Sequence, residues 1–527
     1  MISDIIRNHT HKRHIMKKIL SILIMSAMIV SCGQSRKWTC DIDSTISHKG
    51  TDVFQADWEN IAENYTVPEW FRDAKFGIFI HWGIYSVPAY GNEWYAREMY
   101  QKDSRLYNYH VKTFGDHTEF GYKDFIPMFK AEKFSADEWA DLFVEAGARY
   151  VVPVAEHHDG FAMYDSDLNP WNATRMGPKR DVIMEMKTAL EKRGLVFGVS
   201  SHKLENAWFF NGGMKFPSDV QDTTISLYGH RVDDQKYTEE MAREWLRHTY
   251  ELVDKYQPQL FWFDWTVNNP VVMPYFNRFL AYYYNNAIDW GKGVVANAKQ
   301  GYPTNVLVWD MERGKSDKMM VFPWQTDTSV GKHSWSYVVD EENKTPSQII
   351  HDFVDIVSKN GNLLLNIGPK SDGTVSDEQK EVLLEIGRWL KVNGEAIYGT
   401  RCWKKFGEGL TEDTKGTFTD HIATKFTSQD IRFTTKGNDF YAIVLEWGDK
   451  VKIRSLSKDV IGDSKIMGIS LLGSDEKIEW EQHDDGLQIS FPSEKPCGHA
   501  YAFRISFDKM VGADLPSEAS NEVMRHG

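Results

Sequence analysis

Two carboxylates stand out for where they fall. The run "LFWFD" is apolar from Leu260 up to its last residue, Asp264, which sits between Phe263 and Trp265. An ionised carboxylate taken out of water is costly unless it is paired or used. Asp264 is therefore a helix cap, an ion-pair partner or a reactive group. A second carboxylate, Glu312 in "VWDMERGKSD", shifts the balance towards the last. Two carboxyl groups in one pocket can act as nucleophile and general acid/base in glycosidic cleavage.

Polar residues of other kinds cluster in the same way. His81 ends "KFGIFIH", with Glu93 and Trp94 in the loop beyond; "EHHD" (Glu156, His157, His158, Asp159) ends another apolar run, and His202 a third. A lone His at a strand end is more often a hydrogen-bonded structural residue. The "EHHD" knot admits metal binding as a rival, since His and carboxylates are good ligands. Consecutive residues of a strand point to opposite sides, however, so His157 and His158 are not expected to hold one ion together. No CxxC or HExxH spacing occurs, and neither a metal nor any other cofactor is expected. Hydrogen bonding to a polyhydroxylated ligand suits the same groups.

The elements that must position these residues are short apolar runs alternating with amphipathic helical stretches. Residues 75–83, 148–158, 194–202, 259–264, 293–298 and 362–369 read as strands buried on both faces. Helix starts are marked by Ser135 with Glu138, by Thr345 with Pro346, and by Ser376. Four polar clusters at carboxyl ends of strands favour a (β/α)8-like TIM barrel over an open sheet. This α/β barrel is expected over 66–399, after a polar tether and lead-in at 33–65. Period-two alternation with Gly, Asn and Asp turns then predicts an antiparallel β-sandwich over 400–508, followed by a polar tail at 509–527.

The bulk numbers narrow the partners. A net charge of −14 without a basic stripe excludes a nucleic-acid partner. An aromatic content of 13% supplies stacking surfaces of the kind sugar-binding proteins use, although large cores use them too. At the N-terminus, Lys17 and Lys18 precede "ILSILIMSAMIV" and then "SCG", which reads as a signal peptide over 1–32. "IVSC" looks like a bacterial lipobox, which implies lipidation of Cys32 and a membrane contact through that lipid alone. The protein is thus expected to be exported, as a periplasmic or outer-membrane lipoprotein of a Gram-negative bacterium. Cys402 and Cys497 leave one disulfide pairing open.

Taken together, "KFGIFIHWGIYSVPA", "EHHDGFAMYDS", "LFWFDW", "ERG", "PWQTDTSVG" and "GNLLLNIGP" resemble the exo-acting α-L-fucosidases of glycoside hydrolase family 29 over roughly residues 60 to 400. The resemblance implies retaining, two-step, metal-independent hydrolysis of α-L-fucosides on fucosylated oligosaccharides or glycoconjugates. It makes Asp264 the nucleophile and Glu312 the acid/base, with Glu341 and Glu342 as runners-up. Gln325 occupies the place where some relatives carry a Glu, which closes that location. His81, Glu93, Trp94, His157, His158, His202, Trp262, Trp265 and Trp324 become the expected substrate-binding set. Many relatives carry Gly where this chain has Trp265. His202 and "ERG" point to the subgroup preferring α1,3/1,4 linkages. Alternatives are α-L-galactosidase-like activity and a non-catalytic carbohydrate-binding lipoprotein.

Overall fold

Eight parallel strands close into a barrel in sequence order: β1 (Phe76–Ile80), β2 (Tyr150–Glu156), β3 (Val196–Ser201), β4 (Leu260–Phe263), β5 (Val295–Ala298), β6 (Val308–Glu312), β7 (Trp324–Ser329) and β8 (Gly361–Ile367). The computed structural model describes residues 38–299, 301–512 and 517–519. The signal segment and Cys32 lie outside them.

Strand alternation decides what faces the barrel interior. Along β4, Leu260 and Trp262 join an inner cluster with Phe79, Val152, Val308 and Leu364. Phe261 and Phe263 turn outward onto Phe279 of the helix Met273–Trp290. Asp264, two residues beyond Trp262, therefore continues on the inner face. The same rule runs along β6, where Val308 is in the inner cluster, Asp310 meets Lys299 and Gln325, and Glu312 arrives at the mouth. At the opposite end Gly77 makes room for a floor. A Cβ there would lie 2.3 Å from the ring of Tyr150, the residue paired with it across β1 and β2.

The helices start where the sequence signals place them. Ser135, Thr345 and Ser376 accept from the backbone N–H of Glu138, Gln348 and Gln379, capping Ala136–Glu145, Pro346–Ser358 and Asp377–Asn393. Among the described residues no helix separates β5 from β6 or β6 from β7. Strands β6 and β7 are the ones missing from the sequence reading.

Beyond the barrel, two antiparallel sheets enclose a core of Phe433, Phe440, Ile489 and Phe503. Their strands are β9 (Arg401–Glu408), β10 (Ile431–Lys436), β11 (Asp439–Val444), β12 (Lys450–Ile453), β13 (Ile466–Leu471), β14 (Trp480–His483), β15 (Gly486–Ser490) and β16 (Tyr501–Phe507). One sheet runs β13-β16-β11-β10-β9 and the other β12-β15-β14. Buried Asp355, on a barrel helix, fastens the two parts together by accepting from Lys359 at 2.7 Å and from Arg432 of β10 at 2.5 Å. Cys402 and Cys497 are free thiols, and Cys497 donates to the carbonyl of Ala500, so the pairing left open by the sequence is not formed. No helix among the described residues is long and apolar enough to cross a membrane.

Candidate active site

At the carboxyl end of the barrel, a narrow chamber of about 60 Å³ opens into a vestibule of about 900 Å³. Asp264 and Glu312 both line the chamber. Asp264 Oδ2 accepts from Nε2 of His158 at 3.1 Å and from Nδ1 of His202 at 3.2 Å, and its Oδ1 accepts from the Trp265 backbone N–H at 2.9 Å. Burial works against the charge on Asp264, but the two imidazoles outweigh it and hold its pKa well below the usual carboxylate range.

The histidines divide by partner. Burial opposes a proton on His158 as well, yet the hydrogen bond to Asp264 and the charge of nearby Glu205 raise its pKa. Glu205 is itself pushed up to about 7, by burial first and against the pull of His158. His202 is lowered to about 4 by burial, so it is neutral at pH 7, with Nδ1–H turned to Asp264 and Nε2 beside the Ser200 hydroxyl. His81 donates from Nδ1 to Asn366 Oδ1 at 2.7 Å, and burial keeps it neutral.

His157 and His158 correct the expectation that consecutive histidines diverge. Their rings stack at 4.3 Å and 13°, and both line the chamber. Strand β2 ends at Glu156 after a register shift against β3 between Val154 and Glu156, and Gly160 donates back to the carbonyl of His157. The two histidines thus lie on a turn, where strand alternation no longer applies. Nδ1 of His157, Nδ1 of His158 and Nε1 of Trp262 are buried without a hydrogen-bond partner among the described residues. Three unpaired polar atoms around one chamber suit a ligand rich in hydroxyls.

Glu312 has a different setting. Its pKa is raised, first by burial and then by the charge of Asp264, with Lys299 pulling the other way. The Lys299 ammonium lies 3.1 Å from Asp310, 3.4 Å from Asp327, 3.5 Å from Glu312 and 4.5 Å from the centre of the Trp262 ring. Burial opposes the charge on Lys299, but Asp327, Glu312 and Asp310 together raise its pKa well above the usual value. One carboxyl is therefore held ionised while its neighbour is biased to keep a proton.

Glu93 accepts from the Trp335 backbone N–H at 2.9 Å, and Trp335 lies against His81 and under Arg313. Gly368 lets that loop pass, since a Cβ there would meet the carbonyl carbon of Ser336 at 2.4 Å. Trp94 and Trp265 complete the wall between chamber and vestibule. Trp335, Asp327, Lys299 and Asn366 are site or supporting residues that the sequence reading missed. Asp327 and Asn366 fall inside "PWQTDTSVG" and "GNLLLNIGP", Trp335 is an aromatic in the polar stretch "KHSWS", and Lys299 lies outside every motif.

Trp324 is not brought to the pocket. It begins β7, at the end of the barrel opposite the site, and donates from Nε1 to the Lys359 carbonyl. Gln325 and Asp327 face inward to Asp310 and Lys299, so alternation places Trp324 on the outer side. Glu341 and Glu342 do not line the chamber. Glu341 accepts from the His333 backbone N–H and Glu342 pairs with Lys332.

Two overlapping triads, His81/His157/His202 and His158/His202/Asp264, are close enough to offer ligand atoms to a cation. They share His202, whose Nδ1–H is given to Asp264. The second triad is thus organised around the carboxylate.

A barrel whose carboxyl end holds two carboxyls shifted in opposite directions, one kept ionised and one with a raised pKa, beside aromatic walls and unpaired polar atoms defines a glycoside hydrolase. The family model described as Alpha-L-fucosidase matches residues 42–395, and that of the Alpha-L-fucosidase C-terminal domain matches residues 424–506. The tissue alpha-L-fucosidase of Homo sapiens is 33% identical over 459 residues, covering 84% of this chain and 89% of that protein. The human plasma alpha-L-fucosidase is 31% identical over 477 residues, covering 86% and 92%. The crystal structure of the Thermotoga maritima alpha-fucosidase superposes with a TM-score of 0.69 at 32% identity, over 86% of this chain and 100% of that one. The same enzyme in complex with fucose gives 0.68 at 33%, again over 86% and 100%. The chain belongs to the α-L-fucosidase family, glycoside hydrolase family 29.

Proposed function

We propose that this protein is an exo-acting, retaining α-L-fucosidase that removes terminal α-L-fucose from oligosaccharides or glycoconjugates. The observation that carries the reading is the pairing of Asp264, held ionised by two imidazoles, with Glu312, biased towards its protonated form, in one chamber. Asp264 attacks the anomeric carbon while Glu312 gives its proton to the departing oxygen, and a fucosyl ester forms on Asp264. Glu312, now a carboxylate, takes a proton from water, which attacks the same carbon and releases Asp264. His81, His157 and His158 receive the sugar hydroxyls, and Trp262, Trp265 or Trp335 packs on the fucose methyl.

The test is a pair of variants on an aryl α-L-fucoside. Asp264→Gly should lose more than about 10⁴-fold in kcat and yield the β-fucosyl azide when azide is added. Glu312→Ala should lose about 10²- to 10⁴-fold and yield the α-fucosyl azide. Near wild-type turnover by Asp264→Gly would reject the nucleophile assignment, and azide rescue at Glu341 or Glu342 instead would reject Glu312. The leader sequence supports export and anchoring through Cys32, which Cys32→Ser should abolish in a fatty-acid labelling experiment. The presence of His202 and "ERG" supports a preference for α1,3/1,4-linked fucose, measurable by comparing those trisaccharides with an α1,2-linked one.

A further inference from the structure

The outer vestibule is closed on one side by residues from beyond the barrel. Gly416 exchanges backbone hydrogen bonds with Lys315 at 2.9 and 3.2 Å, Phe418 N–H donates to the Glu312 carbonyl at 3.2 Å, and Thr419 N–H to that of Arg313 at 2.8 Å. The two backbones meet closely because position 314 is glycine, where a Cβ would fall 1.9 Å from the Gly416 carbonyl oxygen. Asp420 anchors the segment from below. It is buried and accepts from Arg313 at 3.1 Å and from Lys344 and Thr328 at 2.5 Å each.

This anchoring presents a costly residue. Phe418 has a φ of 56° and its side chain is largely in solvent, the residue being 58% exposed. An aromatic residue in the left-handed region pays backbone strain, and an exposed ring forgoes burial. Neither serves the stability of the fold. The ring stands at the wall of the vestibule with Trp265 and Trp335, on the leaving-group side of Glu312. The charges there are largely spoken for, Arg313 by Asp420 and Lys332 by Glu342. A neutral ligand with ring faces and hydroxyls fits this surface better than an anionic one.

We infer that the segment Gly416–His421 builds the leaving-group subsite, with Phe418 as the platform on which the sugar carrying the scissile fucose stacks. The inference rests on the fucosidase reading above and assigns its second subsite to the C-terminal part of the chain.

The test compares a trisaccharide bearing a terminal α-L-fucose with methyl α-L-fucoside. The methyl leaving group needs the same proton from Glu312 but is too small to reach Phe418. In Phe418→Ala the ratio of kcat/KM values, trisaccharide over methyl fucoside, should fall about tenfold, mainly through KM, and Phe418→Tyr should restore most of it. An unchanged ratio overturns the proposal, whether both activities hold or both fall together, the latter meaning that Phe418 acts through Glu312. If the wild-type protein cleaves neither substrate, the parent reading fails instead.

Discussion

Nδ1 of His202 and Nε2 of His158 converge on one oxygen, Oδ2 of Asp264, from 3.2 and 3.1 Å. That shared acceptor keeps a carboxylate charged in a chamber that would otherwise favour its neutral form. The proposed reaction needs Asp264 ionised, and its folded pKa is depressed, so activity should persist to low pH and fail only as pH falls through that depressed value. In His202→Ala one of the two donors is lost, the pKa of Asp264 rises, and the acidic limb of kcat/KM against pH should move up by about one unit. An unmoved acidic limb would show that the hydrogen bond does not set the charge.

Lys299 exerts the same kind of pull on the other carboxyl, where it works against the proton. Its ammonium favours the ionised form of Glu312, while the acid step needs the protonated form. Lys299→Met should raise the Glu312 pKa and carry the basic limb of the profile to higher pH by about one unit, with lower kcat. A basic limb that stays in place would mean Glu312 is not the group titrating there.

Trp324 tests the boundary of the site. Trp324→Ala should cost about 3–5 kcal/mol of stability, because a large buried side chain is lost, and leave the KM for an aryl fucoside unchanged. A raised KM with stability intact would return Trp324 to the pocket.

Asp355 tests how the barrel and the sandwich are fastened. Asp355→Ala leaves Lys359 and Arg432 buried without their counter-charge, which should cost about 3–5 kcal/mol in urea unfolding. A loss below about 1 kcal/mol would place the fastening elsewhere.

Prolonged chelation with EDTA should leave the rate on an aryl fucoside unchanged, since His202 gives its Nδ1–H to Asp264 and the proposed steps need no ion. Loss of activity restored by a divalent cation would favour the triads as a metal site.

How far the sequence could be read follows from what each strand carries inside the barrel. Strand β4 shows Leu260 and Trp262 inward and Phe261 and Phe263 outward, so it is apolar throughout and legible, with Asp264 conspicuous at its end. Strands β6 and β7 carry Asp310, Glu312, Gln325 and Asp327 inward, which breaks the apolar run, and among the described residues no helix follows β5 or β6 to restore the alternating pattern. Glu312 stands in its own motif and Asp327, its neighbour in space, falls inside "PWQTDTSVG" without standing out there, whereas Lys299 has no motif. The stacking of His157 on His158 was invisible because a one-residue shift in strand register leaves no mark in composition. Trp324 was drawn in by its motif when its position in β7 puts it on the wrong face and at the wrong end.

The segment that reaches back from beyond β9 gives the chain an unusual inheritance. Asp264 follows a strand buttressed by the barrel's own helices, whereas the carbonyl of Glu312, at the end of β6, also accepts from Phe418, a residue outside the barrel. A recombination event that replaced the C-terminal region would also replace the vestibule wall around Phe418 and remove one hydrogen bond from the carbonyl of Glu312. Substrate range and domain composition in this lineage are therefore expected to change together, and grafting a foreign sandwich should succeed only when that short stretch is carried with the barrel.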